Sequence, residues 1–350
     1  MLEKDYDFII VGQGLAGTCL AHELNQRGKK VLVFDDPNMP SSSTVAGGLF
    51  NPVTGRNMVL TWKAHDLFPF LQKFYGRLEK LLQVKLLHNM PLYRPFSTTK
   101  ELNEWQGRSS DKRFASFIDF ISPEAYHSEY IKNDLGGIMF KQTGYLDTQM
   151  LLHHFRDYLK EKGILQEEKF ISEKLNFYAD SVVYNEYSAK KIMFCDGPEG
   201  FGNQLLNKIR FHPVKGEVLR LQMNYNCNFI LNRNGFVLPR DGYFLAGSNY
   251  NLKDSTWEPT NEGRQEIIDK IDKIVNIEYS IIDQVAGLRP TSHDRRPVVG
   301  LLPNKPQVGV LNGLGTKGVS LAPYFAQQFA ENLINGAELD REVNIGRYFN

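Results

Sequence analysis

The 350-residue sequence has few cysteines, almost no net charge and no long apolar run. Cys19, Cys195 and Cys227 lie far apart and form no CxxC pair, which argues against a disulfide framework or a zinc site and predicts a reducing compartment. The 41 lysines and arginines balance 40 aspartates and glutamates, so a net charge of +1 provides no field that attracts nucleic acid or a membrane surface. No apolar stretch approaches the roughly 20 residues of a membrane span.

The start of the chain, MLEKDYDF, has neither a basic region nor a cleavage site, so we expect no signal peptide and a cytoplasmic location. Hydrophobic residues make up 42% of the sequence and charged residues 23%, which is typical of globular domains. The length exceeds that of a usual single core, so two lobes are expected. His153 and His154 are adjacent on a predicted helix and face different sides, and no metal site is predicted.

The most specific pattern follows the first apolar strand, where Gly12-x-Gly14-x-x-Gly17 leads into a helix. Gly12 allows a sharp turn, Gly14 lets a pyrophosphate approach the backbone, and Gly17 lets the helix pack closely on the strand. The helix N-terminus offers free N–H groups to phosphates. A second apolar strand ends in Asp35, where a carboxylate can accept hydrogen bonds from a ribose. The pattern therefore predicts a dinucleotide site.

A second glycine-rich turn, Gly313-x-Gly315-x-x-Gly318, stands about 300 residues later and again leads into a helix. It follows the segment GLRPTSHDRRPVVG (287–300) and a short apolar strand. A nicotinamide enzyme usually completes its cofactor site within one contiguous Rossmann domain. The separation of the two turns favours FAD.

With these motifs at both ends, the sequence resembles the FAD-dependent amine and amino-acid oxidoreductases of the D-amino-acid oxidase superfamily, from Tyr6 to the C-terminus. It is also similar to the FAD domain of the bifunctional enzyme that modifies the tRNA wobble uridine. The resemblance implies an α/β fold with a Rossmann-like FAD-binding lobe of the GR2 type and an interleaved α+β substrate lobe that carries an antiparallel sheet. We expect residues 1–60, 144–212 and 286–350 in the FAD lobe, and 61–143 and 213–285 in the substrate lobe.

The cofactor implied by the resemblance is FAD. It is expected to be non-covalent, because no cysteine follows Cys227, whereas covalent members of the family carry one near the end. The cofactor-binding residues carried over from the family are Gly12, Gly14, Leu15, Ala16, Gly17, Asp35, Asp36, Ala46, Gly47, Gly48, Gly197, Gly287, Arg289, Gly313, Gly315, Thr316, Lys317, Gly318 and Val319.

Four side chains are candidates for substrate binding or catalysis. Arg289 matches the arginine that grips the substrate carboxylate in the family, although it could instead be structural and pair with an acid such as Asp294. Lys317 and Arg56 lie where relatives also carry cations. The resemblance places Lys317 near substrate or flavin, with a solvated lysine as the alternative, and it places Arg56 near the carboxylate site. Tyr243, with Tyr250 nearby, is a candidate hydrogen-bond donor, since the position where glycine oxidase has a tyrosine is Phe236 here; the alternative is that these are core tyrosines.

Two further stretches have consequences for the site. The small-residue segment 41–62 predicts a loop that passes the flavin. The family's AtGaw turn is CDGPEG here, which brings the acids Asp196 and Glu199 close to the cofactor.

The function implied is oxidation of the C–N bond of a small carboxylate-bearing amine (of the glycine, sarcosine or D-amino-acid type) by hydride transfer to flavin, with oxygen or a quinone as electron acceptor. One alternative is oxidative removal of a carboxymethyl group from a modified tRNA wobble uridine. The missing methyltransferase half and the balanced charge argue against that partner, because RNA binding favours a basic face. Another alternative is a non-catalytic subunit that holds FAD and relays electrons.

Overall fold

A computed structural model of the protein describes residues 4–55, 58–108 and 110–349. Its α-helices are α1 Leu15–Gln26, α2 Ser42–Val45, α3 Ala64–Leu82, α4 Thr99–Arg108, α5 Lys112–Ala115, α6 Thr148–Glu161, α7 Asn261–Ile271 and α8 Gly318–Asn335. Its strands are β1 Lys4–Val11, β2 Val31–Phe34, β3 Leu49–Phe50, β4 Val53–Thr54, β5 Val59–Leu60, β6 Leu87–Asn89, β7 Leu92–Pro95, β8 Ile118–Ser122, β9 Gly137–Phe140, β10 Gly144–Leu146, β11 Leu165–Gln166, β12 Leu175–Phe177, β13 Val182–Tyr184, β14 Tyr187–Phe194, β15 Val214–Met223, β16 Ile230–Asn232, β17 Phe236–Pro239, β18 Phe244–Gly247, β19 Tyr279–Arg289, β20 Val298–Leu302 and β21 Lys305–Asn312. Within these ranges, none of the helices has the length and apolar character that a membrane span requires.

The first lobe is built on parallel strands in the order β11, β2, β1, β14 and β21. Every residue of β2 is buried, as expected for a strand covered on both faces. Phe8 and Ile10 of β1 face a helical layer that contains α1 and α8, while Ile9 and Val11 face the opposite core. This arrangement confirms the predicted Rossmann-like lobe.

The second lobe carries an eight-stranded sheet in the order β19, β15, β18, β17, β16, β7, β9 and β8. Neighbouring strands are antiparallel except β16 and β7, which run parallel. The strands come from two separate stretches of the chain, 92–140 and 214–289, with β10 to β14 between them. The structure thereby confirms the interleaved antiparallel sheet.

Helix α3 is amphipathic and packs with the first lobe. Its apolar residues Leu67, Leu71 and Phe74 share a core with helices α1 and α8, and the Tyr75 hydroxyl donates to the Val319 carbonyl at 2.8 Å. The sequence assigned 61–143 to the substrate lobe. We propose that 61–82 belongs with the FAD lobe and that the remaining boundaries stand.

The segment 41–62 is not the uniform loop that the sequence predicted. It contains α2 and the short strands β3, β4 and β5. The Ser41 hydroxyl caps α2 by accepting from the Ser43 N–H, which is the local bond that serines favour at a helix start. Downstream, β3 pairs with β10, and Ser43 of α2 accepts from the Leu15 N–H beside the first glycine turn. The small residues of this segment predicted a loop. The strand β3 was not predicted, because its pairing with the distant β10 leaves no pattern in the local sequence.

Candidate functional site

A cavity of about 1410 Å³ opens between the carboxyl ends of the parallel strands and the antiparallel sheet. Ligands of open α/β folds bind at this end of the strands. The volume exceeds the roughly 300–1,000 Å³ of common small-molecule sites, so a dinucleotide and a second molecule can share it.

The first glycine turn forms one wall of the cavity. Gly12 has φ +94°, and a Cβ there would lie 2.7 Å from the Cys195 carbonyl oxygen, so only glycine fits without strain. A Cβ at Gly17 would overlap the Gly12 carbonyl, which explains the close crossing of α1 over β1. Gly14 lies before α1 and exposes the helix start to the cavity, where the Leu15 N–H donates to the Ser43 hydroxyl at 3.1 Å.

Asp35 lies at the end of β2 on the same wall. One carboxylate oxygen accepts from the Gln13 N–H at 2.8 Å, and the other forms an ion pair with Arg156 of α6. Burial raises the pKa of this carboxyl. Arg156 itself lines the cavity, and sequence reasoning missed it because no motif links α6 to the end of β2.

The second glycine turn forms the opposite part of this wall. Gly313 and Gly315 have φ of +73° and +56°, and α8 begins at Gly318. Lys317 caps the helix, and its ammonium donates to the Thr54 and Thr61 hydroxyls at 3.2 and 3.3 Å. Burial lowers the pKa of Lys317, with a smaller contribution from Arg296.

Arg289 comes from the end of β19 and is partly buried beside the antiparallel sheet. Its guanidinium donates to the carbonyls of Lys215 and Asn249, each at 3.2 Å, and to the Ser248 hydroxyl at 2.9 Å. The Tyr250 ring lies 4.4 Å from the guanidinium carbon. A Cβ at Gly216 would overlap the guanidinium, so the missing side chain makes room for it. Burial lowers the pKa of Arg289.

These partners of Arg289 are all uncharged, and within the described ranges no ion pair to a carboxylate is formed. Asp294, the acid considered as a structural partner, instead pairs with Arg347 at 2.8 Å. A buried guanidinium without an acid is costly, and an incoming carboxylate would offset that cost.

Most of the predicted cofactor residues lie on the cavity wall: Gly12, Gly14, Leu15, Ala16, Asp35, Asp36, Ala46, Gly47, Gly48, Gly197, Gly287, Arg289, Gly315, Thr316, Lys317, Gly318 and Val319. Gly17 and Gly313 lie behind the wall and shape the two turns.

Of the four substrate candidates, one lies away from the cavity wall and another lies outside the described residues. Tyr243 does not line the cavity, because its ring packs into the core of the second lobe, 5.6 Å from the guanidinium carbon of Arg220. Tyr250 is the tyrosine that the structure brings to Arg289. Arg56 lies outside the described residues, and its role stays a prediction.

A family model of FAD-dependent oxidoreductases (DAO) matches residues 7–332 of the chain. The protein belongs to this family. Its cofactor is accordingly FAD.

The FAD-dependent oxidoreductase is similar to two curated proteins at 24% identity. One is the tRNA 5-methylaminomethyl-2-thiouridine biosynthesis bifunctional protein of Marinobacter nauticus; the match covers 97% of the chain, which spans only 58% of that relative's length. The other is glycine oxidase of Bacillus licheniformis, with 95% of the chain and 94% of the relative covered. The solved glycine oxidase of Bacillus cereus superposes with a TM-score of 0.80 at 19% identity, over 95% of this chain and 96% of that one. That likeness shows the shared fold.

The wall of the cavity fits FAD. A Cβ at Gly14 would meet only the Ser43 hydroxyl within 4 Å, at 3.2 Å, so the helix start is open to a pyrophosphate. Asp35 is placed to accept from a ribose. The start of α8 adds a positive dipole end that can stabilise negative charge on reduced flavin. When bound, FAD supplies the ring system that accepts a hydride.

Asp196 and Glu199, the acids of the unusual CDGPEG turn, line the FAD end of the cavity. Burial raises the pKa of Asp196 to about 7, with Glu199 adding to the shift. Because the folded pKa exceeds the unfolded value near 3.9, the native state binds more protons between these values. The contribution of protonated Asp196 to the free energy of unfolding is therefore fully present below about pH 4, and it is lost as the pH rises to about 7.

We predict that Asp196→Asn removes this pH dependence, which amounts to about 4 kcal/mol at most. The measurement is urea unfolding of FAD-free protein between pH 4 and 8. Burial lowers the pKa of His22 to about 4, so His22 changes the free energy of unfolding with pH in the opposite direction. Because His22 is present in both proteins, the difference between the two curves reports Asp196 alone. Parallel curves for wild type and variant would show that Asp196 is ionised in the native state.

Proposed function

We propose that the protein oxidises the C–N bond of an amine that carries a carboxylate. The observation that carries this proposal is the partly buried guanidinium of Arg289, which faces the cavity with neutral partners and lies over the Tyr250 ring. A planar guanidinium binds a carboxylate through two parallel hydrogen bonds, so it fixes the orientation as well as the position of the substrate.

The reaction needs little else from the protein side chains. One part of the cavity is lined by the antiparallel sheet and the residues beside it, and its described lining has no carboxylate or imidazole. The lining residues of this part are Arg94, Gly216, Val218, Asn232, Phe236, Gly247, Ser248, Tyr250 and Arg289. We call this part the sheet-side half. Without a general base here, the substrate binds as the neutral amine, and the proton is lost to solvent beforehand. The similarity to glycine oxidase supports this type of substrate.

The test is anaerobic titration of the FAD-loaded protein with glycine, N-methylglycine, D- and L-amino acids and α-hydroxy acids. We expect at least one amine to bleach the flavin absorbance, with one carbonyl product formed per flavin reduced. If a hydroxy acid is the only compound that bleaches the flavin, the protein oxidises alcohols and the proposal of amine oxidation is wrong. A flavin that dithionite reduces but no amine reduces would favour the non-catalytic subunit.

The relative from Marinobacter nauticus favours a second candidate, oxidative removal of a carboxymethyl group from the modified wobble uridine of a tRNA. This substrate also presents a carboxylate next to an amine, so Arg289 serves it in the same way. Adding tRNA that carries the carboxymethylaminomethyl group to the titration separates the two candidates. Release of glyoxylate from the tRNA, without bleaching by free amino acids, selects the second.

A further inference from the structure

The acidic side chains of the described cavity lining are confined to its FAD end. They are Asp35, Asp36, Glu173, Asp196 and Glu199, whereas the sheet-side half has none. The FAD end is also where the pyrophosphate binds, and a pyrophosphate carries two negative charges of its own. An ionised carboxylate next to it opposes binding unless a donor or a cation offsets the charge, because like charges at close range repel.

Asp35 has such partners and Asp196 does not. The Asp35 carboxylate accepts from the Gln13 N–H and pairs with Arg156. Within the described part of the chain, no ion pair to Asp196 is formed, and its Oδ1 is shut off from solvent without a hydrogen-bond partner. Leaving an ionised oxygen in that state is costly, so the contacts of Asp196 suit a neutral carboxylic acid.

The carboxyl of Asp196 lies beside the first glycine turn. Strands β1 and β14 are parallel neighbours and end together, so that a Cβ placed on Gly12 would lie 2.9 Å from the Asp196 Cα. Oδ1 is turned towards Gly200, where an added Cβ would lie 2.5 Å from it. Asp196 lines the cavity and is partly exposed, which leaves Oδ2 as the oxygen that a ligand in the cavity can reach.

The groups around this carboxyl supply no positive charge. Glu199, in the same turn, adds to the rise in the pKa of Asp196 that burial causes. Burial raises the pKa of the Cys195 thiol well above its usual range, so that β14 ends in a neutral group. The side chains that the first glycine turn and β21 contribute to this wall, Gln13 and Asn312, are neutral amides. A proton is therefore the simplest way to neutralise Asp196.

We propose that Asp196 binds FAD as a neutral carboxylic acid whose Oδ2 hydroxyl donates a hydrogen bond to the pyrophosphate, so that the affinity for FAD depends on pH. This proposal is independent of the substrate, because it concerns the cofactor alone. The carboxyl of the FAD-free protein titrates with a pKa of about 7, so the proton is already present below this pH. At higher pH it must be taken up from solvent when FAD binds, since the charge of the pyrophosphate raises the pKa further.

The sign of the pH dependence follows from this linkage. FAD binds most tightly below about pH 7, where no proton has to be taken up, and its affinity falls as the pH rises above the pKa of the free protein. One linked proton limits the loss to about tenfold per pH unit.

The experiment titrates FAD-free protein with FAD between about pH 5 and 9 and follows the quenching of flavin fluorescence. We expect a constant dissociation constant below about pH 7 and a rise of up to about tenfold per pH unit above it. Calorimetry in buffers of different ionisation enthalpy should show close to one proton taken up per FAD at about pH 8. A dissociation constant that stays flat over the whole range, with no proton taken up, would overturn the proposal.

Two variants of Asp196 separate the proton from the hydrogen bond. Asp196→Asn keeps a donor that does not titrate, so it should bind FAD tightly at every pH and take up no proton. Asp196→Leu has a similar shape but no donor, and it should bind roughly 10- to 100-fold more weakly than the asparagine variant, again without pH dependence. The control, Asp269→Asn on the exposed face of α7, should behave as wild type.

Two results with these variants contradict the proposal. If Asp196→Asn keeps the pH dependence of the wild type, another group takes up the proton. If Asp196→Leu binds FAD as tightly as Asp196→Asn, the side chain donates no hydrogen bond to the cofactor. An infrared spectrum of the FAD-loaded wild type at about pH 8 adds a measurement on the holoprotein, which should show the carbonyl band of a protonated carboxyl that Asp196→Asn lacks.

Discussion

Replacing Arg289 with alanine is expected to slow flavin reduction by a carboxylate-bearing amine by tens- to thousands-fold. Truncating one partner of a buried charge pair costs roughly 2–5 kcal/mol, and each 1.4 kcal/mol is about tenfold in rate. The FAD content should change little, because the guanidinium bonds to Lys215, Ser248 and Asn249 of the second lobe. The measurement is anaerobic bleaching, with FAD occupancy determined for each preparation.

Two further variants control this experiment. Arg289→Lys should recover only part of the rate, since an ammonium cannot form the two parallel bonds of a guanidinium. Arg264→Ala removes an arginine from the exposed face of α7 and should leave the rate unchanged. If Arg289→Ala reduces its flavin at the wild-type rate, another cation holds the substrate, with Lys317 the next to test and then Arg56. Loss of FAD or precipitation would make Arg289 structural.

Substitution of Gly14 by valine is expected to abolish FAD binding while the protein stays folded. The backbone at Gly14 has φ −69° and ψ −169°, which valine adopts without strain. Its Cβ would lie 3.2 Å from the Ser43 hydroxyl, and its two methyl groups would fill the space that a pyrophosphate needs. Flavin released by acid should fall from about one per chain to almost none.

The matched control is Gly76→Val on helix α3. Apart from its chain neighbours and the local helix backbone, no atom lies within 4 Å of a Cβ added there, and this glycine does not line the cavity. The control should keep its flavin and melt close to wild type. Full flavin content in Gly14→Val would show that the phosphates bind elsewhere.

The glycine turns and Arg289 could be predicted because each is specified by neighbours in the chain. The spacing of Gly12, Gly14 and Gly17 reflects one turn and one helix crossing, and the structure shows the contacts that require it. The pattern around Gly313 and Gly315 is local in the same sense, with both residues at positive φ before α8.

The residues that sequence reasoning missed reach the site through distant pairing. Arg156 meets Asp35 across 121 residues, and Arg94 enters the cavity because β7 pairs in parallel with a strand about 140 residues later. Nothing in the local sequence PLYRPF distinguishes a cavity arginine from one on the surface. The sequence could not rank Tyr243 against Tyr250 for the same reason, since strand register decides which of the two approaches Arg289.

The most direct test compares N-methylglycine with dimethylamine, its counterpart without the carboxylate, in anaerobic reduction of the FAD-loaded protein. Both amines present the same kind of C–H bond, so a difference between them reports the carboxylate and its partner. The account predicts that the amino acid bleaches the flavin at least tens-fold faster than the amine, and that Arg289→Ala removes the difference. Equal rates for the two amines, or bleaching by neither while a hydroxy acid succeeds, would contradict it.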